Sequence, residues 1–327
     1  MKSKLKAPES DRRGELAGAR IVEIGPAHEG QRIDNFLLRE LKDVPKSRVY
    51  RILRKGEVRI NGGRVKPEYR LQAGDALRLP PLRRVPGSAD AGATAGSAAG
   101  VGRLLEARIL FEDQRLLVLD KPAGMAVHGG SGVSHGVIEA LRAARGDRAE
   151  LELVHRLDKD TSGCLMLAKR RSLLRELHAS LRAGEVEKRY LTLLAGDWQR
   201  GKAVIDAPLV TDERRGGERT ARVDAGGRRA VSEFHPVQSL RGATLMEVTL
   251  ATGRTHQIRV HAAHAGHPVA GDRRYGDAGF NARMRELGLR RMFLHAHSLA
   301  FDYPGSGVPF HVSAPLDDAL RRVLDAL

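Results

Sequence analysis

Cysteine is almost missing from this sequence. One thiol in 327 residues, Cys164, cannot build a disulfide framework or a multi-cysteine zinc site. Its place in the apolar run Cys164-Leu165-Met166-Leu167-Ala168 predicts a buried, unreactive group on a strand covered on both faces. Aromatic residues are scarce too, at 4%, so the core has to be assembled from Leu, Val, Ile and Ala. No apolar run approaches the length of a membrane span, and Met1 to Arg20 carries basic residues with no apolar segment behind them. A soluble, cytoplasmic protein is expected. Acidic residues are outnumbered, 40 Asp and Glu against 56 Lys and Arg, and the formal charge of +16 gives a positive field suited to a polyanion. Nucleic acid is the usual one. No Gly-x-Gly-x-x-Gly opens a helix after a strand and no P-loop occurs, so a nucleotide cofactor has no phosphate cradle.

The length suits a large domain and a small one. Residues 1–20 are charged and unpatterned and read as a mobile tail. From Arg32, Ile33, Phe36, Leu37 and Leu41 recur at helical spacing; a second short helix follows Pro45, with Val49, Ile52 and Leu53 inward and Gly56 as its stop. Val58-Arg59-Ile60 then runs into Asn61-Gly62, a type I′ hairpin signal, and an alternating strand ends near Leu79. Between Arg32 and Arg84 there are 15 lysines and arginines against 6 acidic residues, a net +9 of the chain's +16. Arg48, Arg51 and Lys55 share one face of the second helix, opposite its apolar positions. A solvated polar face would look the same, but the local charge excess favours RNA binding. Arg32-Ile33-Asp34-Asn35-Phe36-Leu37, the Ser47 to Gly62 run and Leu71…Gly74-Asp75 resemble an S4 RNA-binding module, which places residues 21–85 in an S4-like domain.

Pro86 to Gly102 is almost wholly Gly, Ala and Ser, a composition that buries little apolar surface, so residues 86–103 are expected to form a flexible linker. The second domain, 104–327, mixes strands (Leu116 to Leu119, Lys188 to Leu194, Val231 to Val237, Thr244 to Leu250, Leu294 to Phe301) with helices (Val137 to Ala144, Ser172 to Arg182, one beginning after Thr255, and Ser313 to Leu327). Strands outnumber helices, so the expected fold is α+β with a mixed, mostly antiparallel sheet. Asp212 to Arg229 is weakly patterned and reads as a loop or an irregular hairpin.

At the centre stands His155-Arg156-Leu157-Asp158-Lys159-Asp160-Thr161-Ser162-Gly163, a charged loop between two apolar strands, which is how rigid scaffolds present catalytic groups. Asp158, Asp160, Thr161 and Ser162 could equally close a turn. Four chemistries compete. His256, His261, His264 and His267 look metal-rich, but their spacing is not the i, i+4 of a helical zinc pair and no cysteine or nearby acidic partner completes a set, so no metal is expected. Asp158 and Asp160, two apart in an extended loop, tend to face opposite ways, which disfavours a glycosidase pair. Nucleotide-dependent chemistry lacks its cradle. The fourth uses one carboxylate, one arginine and one aromatic: Asp158 as nucleophile or base, kept ionised by a bidentate contact from an arginine near the start of the Arg254 to His261 helix. His128, in Met125-Ala126-Val127-His128-Gly129-Gly130 at a strand end, is a structural histidine or an RNA contact.

The fourth pattern carries a resemblance. His155 to Gly163, Lys188-Arg189-Tyr190 and Gly253-Arg254-Thr255-His256-Gln257-Ile258-Arg259-Val260-His261, preceded by Asp120-Lys121-Pro122-Ala123-Gly124, resemble the motifs of the RNA pseudouridine synthases that modify large-subunit ribosomal RNA. Ala126 to Gly132 with Gly136-Val137-Ile138-Glu139 is most similar to their class C, which modifies several uridines of one rRNA. The resemblance implies isomerisation of uridine to pseudouridine without a cofactor. It implies Asp158 as the essential aspartate, Tyr190 as the tyrosine stacked on the base and Arg259 as the arginine paired with the aspartate. Arg156 matches the arginine inserted where the flipped base leaves its stack. Large-subunit rRNA is the implied partner, with no membrane and no nucleotide cofactor, and a monomer is the expected state. The competing class is a non-catalytic rRNA-binding or assembly protein on an inactive synthase scaffold; intact Asp158, Tyr190 and Arg259 argue against it.

Overall fold

The computed structural model describes residues 19–41, 44, 46–81, 90–129, 136–146, 150–213 and 219–327. Residues 1–18 of the expected tail, Gly130 to Gly132 of the class C stretch and part of the 212–229 segment lie outside the described residues. The chain divides into two compact units, Met1–Thr94 and Ala95–Leu327.

In the first unit β1 (Arg20–Glu23) precedes α1 (Ile33–Glu40) and α2 (Lys46–Arg54), and β2 (Arg59–Ile60), β3 (Gly63–Arg64) and β4 (Ala76–Leu79) complete an antiparallel sheet in the order β1-β4-β2-β3. The apolar positions that set the helical periodicity, Ile33, Phe36, Leu37, Val49, Ile52 and Leu53, meet Leu71, Leu77 and Leu79 in one core. Asn61 (φ 49°) and Gly62 (φ 79°) turn the β2–β3 hairpin as the Asn-Gly pair predicts. Arg48 and Arg51 of α2, and Lys55 directly after it, are exposed, while Val49, Ile52 and Leu53 of the helix are buried.

The segment expected to be a flexible linker is instead largely helical: α3 spans Asp90–Glu106. Two features overrode the low-complexity composition. The stretch beyond Pro86 is alanine-rich and proline-free, which favours helix. Its C-terminal part buries Ala98 and Leu105, and Leu105 joins the large core of the second unit.

That unit continues with β5 (Ile109–Glu112), β6 (Leu116–Lys121), α4 (Val137–Arg145), β7 (Glu152–Leu153), β8 (Ser162–Ala168), α5 (Arg171–Ala183), β9 (Glu187–Ala195), β10 (Ala203–Asp206), β11 (Leu209–Glu213), β12 (Arg219–Val223), β13 (Val231–Leu240), β14 (Ala243–Leu250), α6 (Gln257–His264), α7 (Ala278–Glu286), β15 (Leu294–Asp302), β16 (Pro309–Ser313) and α8 (Asp318–Asp325). Ten strands form one sheet, β10-β13-β14-β9-β15-β8-β6-β5, with β16 beside β15 and β7 beside β8. Its pairings are antiparallel except β15 with β8, so the sheet is mixed and mostly antiparallel. β11 and β12 pair separately as the arms of the irregular hairpin.

The fully buried β8 shows how the sheet carries its two layers. Leu165 and Leu167 enter the core shared with α4 and α6, while Cys164, Met166 and Ala168 enter the other with Leu173, Leu174 and Leu177 of α5. Cys164 is buried, and burial pushes its thiol up to about 12, which keeps it protonated and inert. The last helix is shorter than the sequence suggests. Pro309–Ser313 pairs with β15, and Asp317, whose Oδ1 accepts from the Leu320 amide at 2.9 Å, caps α8.

Candidate active site

The loop between β7 and β8 is held from below by Lys121 at the end of β6. This side chain is fully buried, and its Nζ donates to the carbonyls of Pro122 (2.9 Å), Met125 (2.9 Å) and Lys159 (3.1 Å). The Gly124 amide also donates to Lys159, at 2.9 Å. One ammonium therefore ties the Asp120 to Gly124 turn to the loop carrying Asp158. Burial lowers the Lys121 pKa to about 7, against the opposing pull of Asp160 and Asp158. Within the loop the Thr161 amide donates to the Asp158 carbonyl at 3.2 Å, so the turn chemistry read from the sequence is present. Gly163 follows at φ 104°, where a Cβ would sit 2.2 Å from the Ala296 carbonyl oxygen; only glycine permits β8 to approach β15 there.

Asp158 faces the start of α6. Its Oδ2 accepts from Arg259 Nη1 at 3.3 Å, and Oδ1 has no protein partner among the described residues. The bidentate contact expected between arginine and Asp158 goes elsewhere. Arg259 Nε and Nη2 donate to Asp272 Oδ2 and Oδ1 at 2.6 and 2.9 Å, leaving only Nη1 for Asp158. Asp272 Oδ1 also accepts from the amides of Arg274 (2.8 Å) and Tyr275 (3.1 Å). Burial opposes both charges, but their mutual contact outweighs it: the Asp272 carboxyl is held below its usual range and the Arg259 guanidinium above.

His256, at φ 56° and ψ 22°, is a left-handed non-glycine residue at the head of α6. The helix begins after Thr255, as the sequence suggests, but no side chain caps it at His256. The end is tied instead by Gln257, whose Oε1 accepts from the Arg254 amide (3.0 Å) and Thr252 Oγ1 (2.8 Å) while Nε2 donates to the Val231 carbonyl (2.9 Å). The Tyr275 hydroxyl accepts from the Ala221 amide at 2.8 Å and lies 2.9 Å from His256 Nδ1. His256 Nε2 lies 3.8 Å from Asp158 Oδ2. Burial lowers the His256 pKa and Arg259 adds to this, while Asp158 opposes it.

Asp158, Tyr190, Arg259, Arg156 and His128 all line one cavity of about 980 Å³. Tyr190, from β9, is 8% exposed, and burial followed by the charge of Asp158 raises its hydroxyl pKa, so the ring is neutral. Arg156 and His128 are exposed. Seven of the lining side chains are Lys or Arg and one, Asp158, is acidic. The cavity thus suits an anionic ligand presented to a single carboxylate. Arg48, Arg51 and Lys55 belong to the other unit. Of the histidines weighed as metal ligands, His261 is spent on Ser232 Oγ and the Ala207 carbonyl, both at 3.0 Å, and His267 on the Ala195 carbonyl at 2.8 Å. Among the described residues no group of three His, Cys, Asp or Glu side chains is placed to hold a metal. Asp272, Tyr275 and the buried Lys121 escaped the sequence argument. A lone carboxylate in the arginine-rich Gly271-Asp272-Arg273-Arg274 was the available signal for the first.

A family of known proteins has this architecture. The family model for RNA pseudouridylate synthase matches residues 115–264, and that for the S4 domain matches residues 31–77. A solved structure titled human RNA pseudouridylate synthase domain containing 4 aligns with a TM-score of 0.58 at 25% identity, over 70% of this chain and 97% of its own. The chain belongs to the RNA pseudouridylate synthase family. Its similarity to particular members is closer. A Pasteurella multocida protein named ribosomal large subunit pseudouridine synthase C is 52% identical over 308 residues, 94% of each chain. One of the same name from Escherichia coli is 49% identical over 315 residues, 96% of this chain and 98% of its own.

Proposed function

We propose that this protein isomerises uridines of large-subunit ribosomal RNA to pseudouridine, at more than one site, with Asp158 as the group that acts at the sugar. The observation that carries the proposal is the contact of Arg259 with one oxygen of Asp158, in a basic cavity shared with Tyr190. Arg259 holds Oδ2; Oδ1 is the oxygen left to react, as nucleophile or as base. In the isomerisation the N1–C1′ bond breaks and the C5–C1′ bond forms, C5 gives up its proton and N1 gains one. Composition is unchanged, so the balance calls for no cofactor. Tyr190 stacks on the base, and Arg156 enters the space the flipped nucleotide leaves. His128 contacts RNA at the cavity, while Arg48, Arg51 and Lys55 grip the backbone from the S4 domain. A monomer acting in the cytoplasm fits this reading. Among the described residues no helix is long and apolar enough to cross a membrane.

Tritium release from uridine-5-labelled large-subunit rRNA tests it, with wild type beside Asp158→Asn. The wild type is expected to release label and the variant to release essentially none; equal release by both sinks the assignment of Asp158.

A further inference from the structure

Three cations of the second unit have largely buried side chains, and two of them have their charge answered by the protein. Lys121 has three carbonyls, and Arg259 has two carboxylates. Lys188 has neither. It lies on β9, two residues before Tyr190 and therefore on the same face of the strand, is 8% exposed, and lines the same cavity. Among the described residues no carboxylate and no hydrogen-bond acceptor meets its Nζ, and burial alone acts on its pKa, downwards. The adjacent imidazole of His155 offers nothing, because its Nε2 already accepts from the Met166 amide at 3.1 Å. Burial first, then the charge of Lys188, lower the His155 pKa to about 4, so this neighbour stays neutral.

The Lys188 side chain is largely buried while its Nζ opens on the cavity, and an ammonium that has given up part of its hydration without gaining an anionic partner is unfavourable in the free protein. What enters the cavity can supply that partner. A uracil carbonyl could accept a hydrogen bond, but only an anion restores neutrality, and the cavity's excess of cations already selects for anions. Lysine is a point-charge binder of phosphate.

We propose that Lys188 is the anchor for a phosphodiester of the bound RNA, fixing the backbone beside the nucleotide presented to Asp158. The proposal rests on the isomerase reading for the identity of the polyanion. Tyr190 and Lys188 then act from one strand, the ring on the base and the ammonium on the backbone, so register along β9 sets the depth at which the nucleotide sits.

The test is the salt dependence of binding to a large-subunit rRNA fragment by wild type, Lys188→Met and Lys188→Arg. Loss of one phosphate contact makes the plot of log affinity against log salt shallower by about 0.7 to 0.9. That change is expected for Lys188→Met, whereas Lys188→Arg keeps the wild-type slope. The thermal midpoint of free Lys188→Met is expected to equal or exceed that of the wild type, since an uncompensated charge has been removed. A lowered midpoint with an unchanged slope makes Lys188 structural and overturns the proposal. An unchanged slope with reduced kcat also overturns it, in favour of a uracil carbonyl as the acceptor. Tritium release by the wild type is read on the same RNA. Release with an unchanged Lys188→Met slope removes the lysine assignment alone; binding without release removes the isomerase reading and leaves the slope to judge Lys188.

Discussion

Arg259 presents its Nε and Nη2 to Asp272, at 2.6 and 2.9 Å, and reaches Asp158 only through Nη1. The arginine is thus anchored by one carboxylate and offered to another. Asp272 is buried and in turn fixed by two backbone amides, so the guanidinium plane is set by the Asp272 to Tyr275 turn rather than by substrate. Asp272→Asn should leave the Arg259 charge buried without its main counter-ion. Breaking a buried pair costs about 3 to 5 kcal/mol, and urea denaturation is expected to show a loss of that size. Tritium release per folded molecule should fall as well, because Nη1 is no longer aimed at Asp158. Full turnover in the folded variant would show that Arg259 orients itself.

Arg259→Lys separates charge from geometry. A lysine ammonium retains the positive charge but has no planar fork with which to serve Asp272 and Asp158 together. The expected result is a drop in kcat with RNA affinity nearly unchanged, and Arg259→Met should lower kcat further. Equal losses in kcat and affinity would mark Arg259 as a phosphate contact.

The sequence shows the parts of this site that are local and hides the parts that are not. Asp158 stands between a half-buried strand and a fully apolar one, and that contrast is visible in the residues from Leu151 to Ala168. The helices with strong apolar spacing, α1, α4 and α5, fall where the periodicity puts them. Asp272 is different: nothing in its neighbours betrays burial, and its role arises only when α6 and the turn after Val269 are brought together by the fold. Lys121 hides for the opposite reason, since a lysine at a strand end ordinarily reaches water and only the carbonyls of two separate loops hold it inside. The helix of α3 is hidden in the sequence because Gly, Ala and Ser content describes a free chain, whereas the burial of Ala98 and Leu105 depends on residues far along the sequence.

Arg48 and Arg51 of α2 and Lys55 directly after it are exposed, so replacing them should not disturb the fold. The triple substitution to alanine is expected to change stability by less than about 0.5 kcal/mol per site. If each cation meets a phosphate, the salt plot for rRNA binding becomes shallower by about 2.1 to 2.7. An unchanged slope would leave the S4 charge as a solvated face.

Lys121 gives the clearest pH signature. In the unfolded chain its pKa lies near 10.5, and in the folded protein it is lowered to about 7. Between those values the unfolded chain binds a proton that the folded one does not, so unfolding free energy rises with pH across the window, by at most about 1.4 kcal/mol per pH unit. Below pH 7 both states are protonated and the folded protein bears the full burden of a buried ammonium. Three carbonyls pull the other way, since only the ammonium has a hydrogen for each, and this compresses the rise toward the upper end of the window. Lys121→Met removes the titration and orphans the three acceptors. Its stability is therefore lower at every pH and lacks the wild-type rise between pH 7 and 10.5. Urea midpoints at a series of pH values read both effects. Parallel profiles for the two proteins would mean that Lys121 keeps its proton throughout and that the bridge from Pro122 to Lys159 is a permanent ionic one.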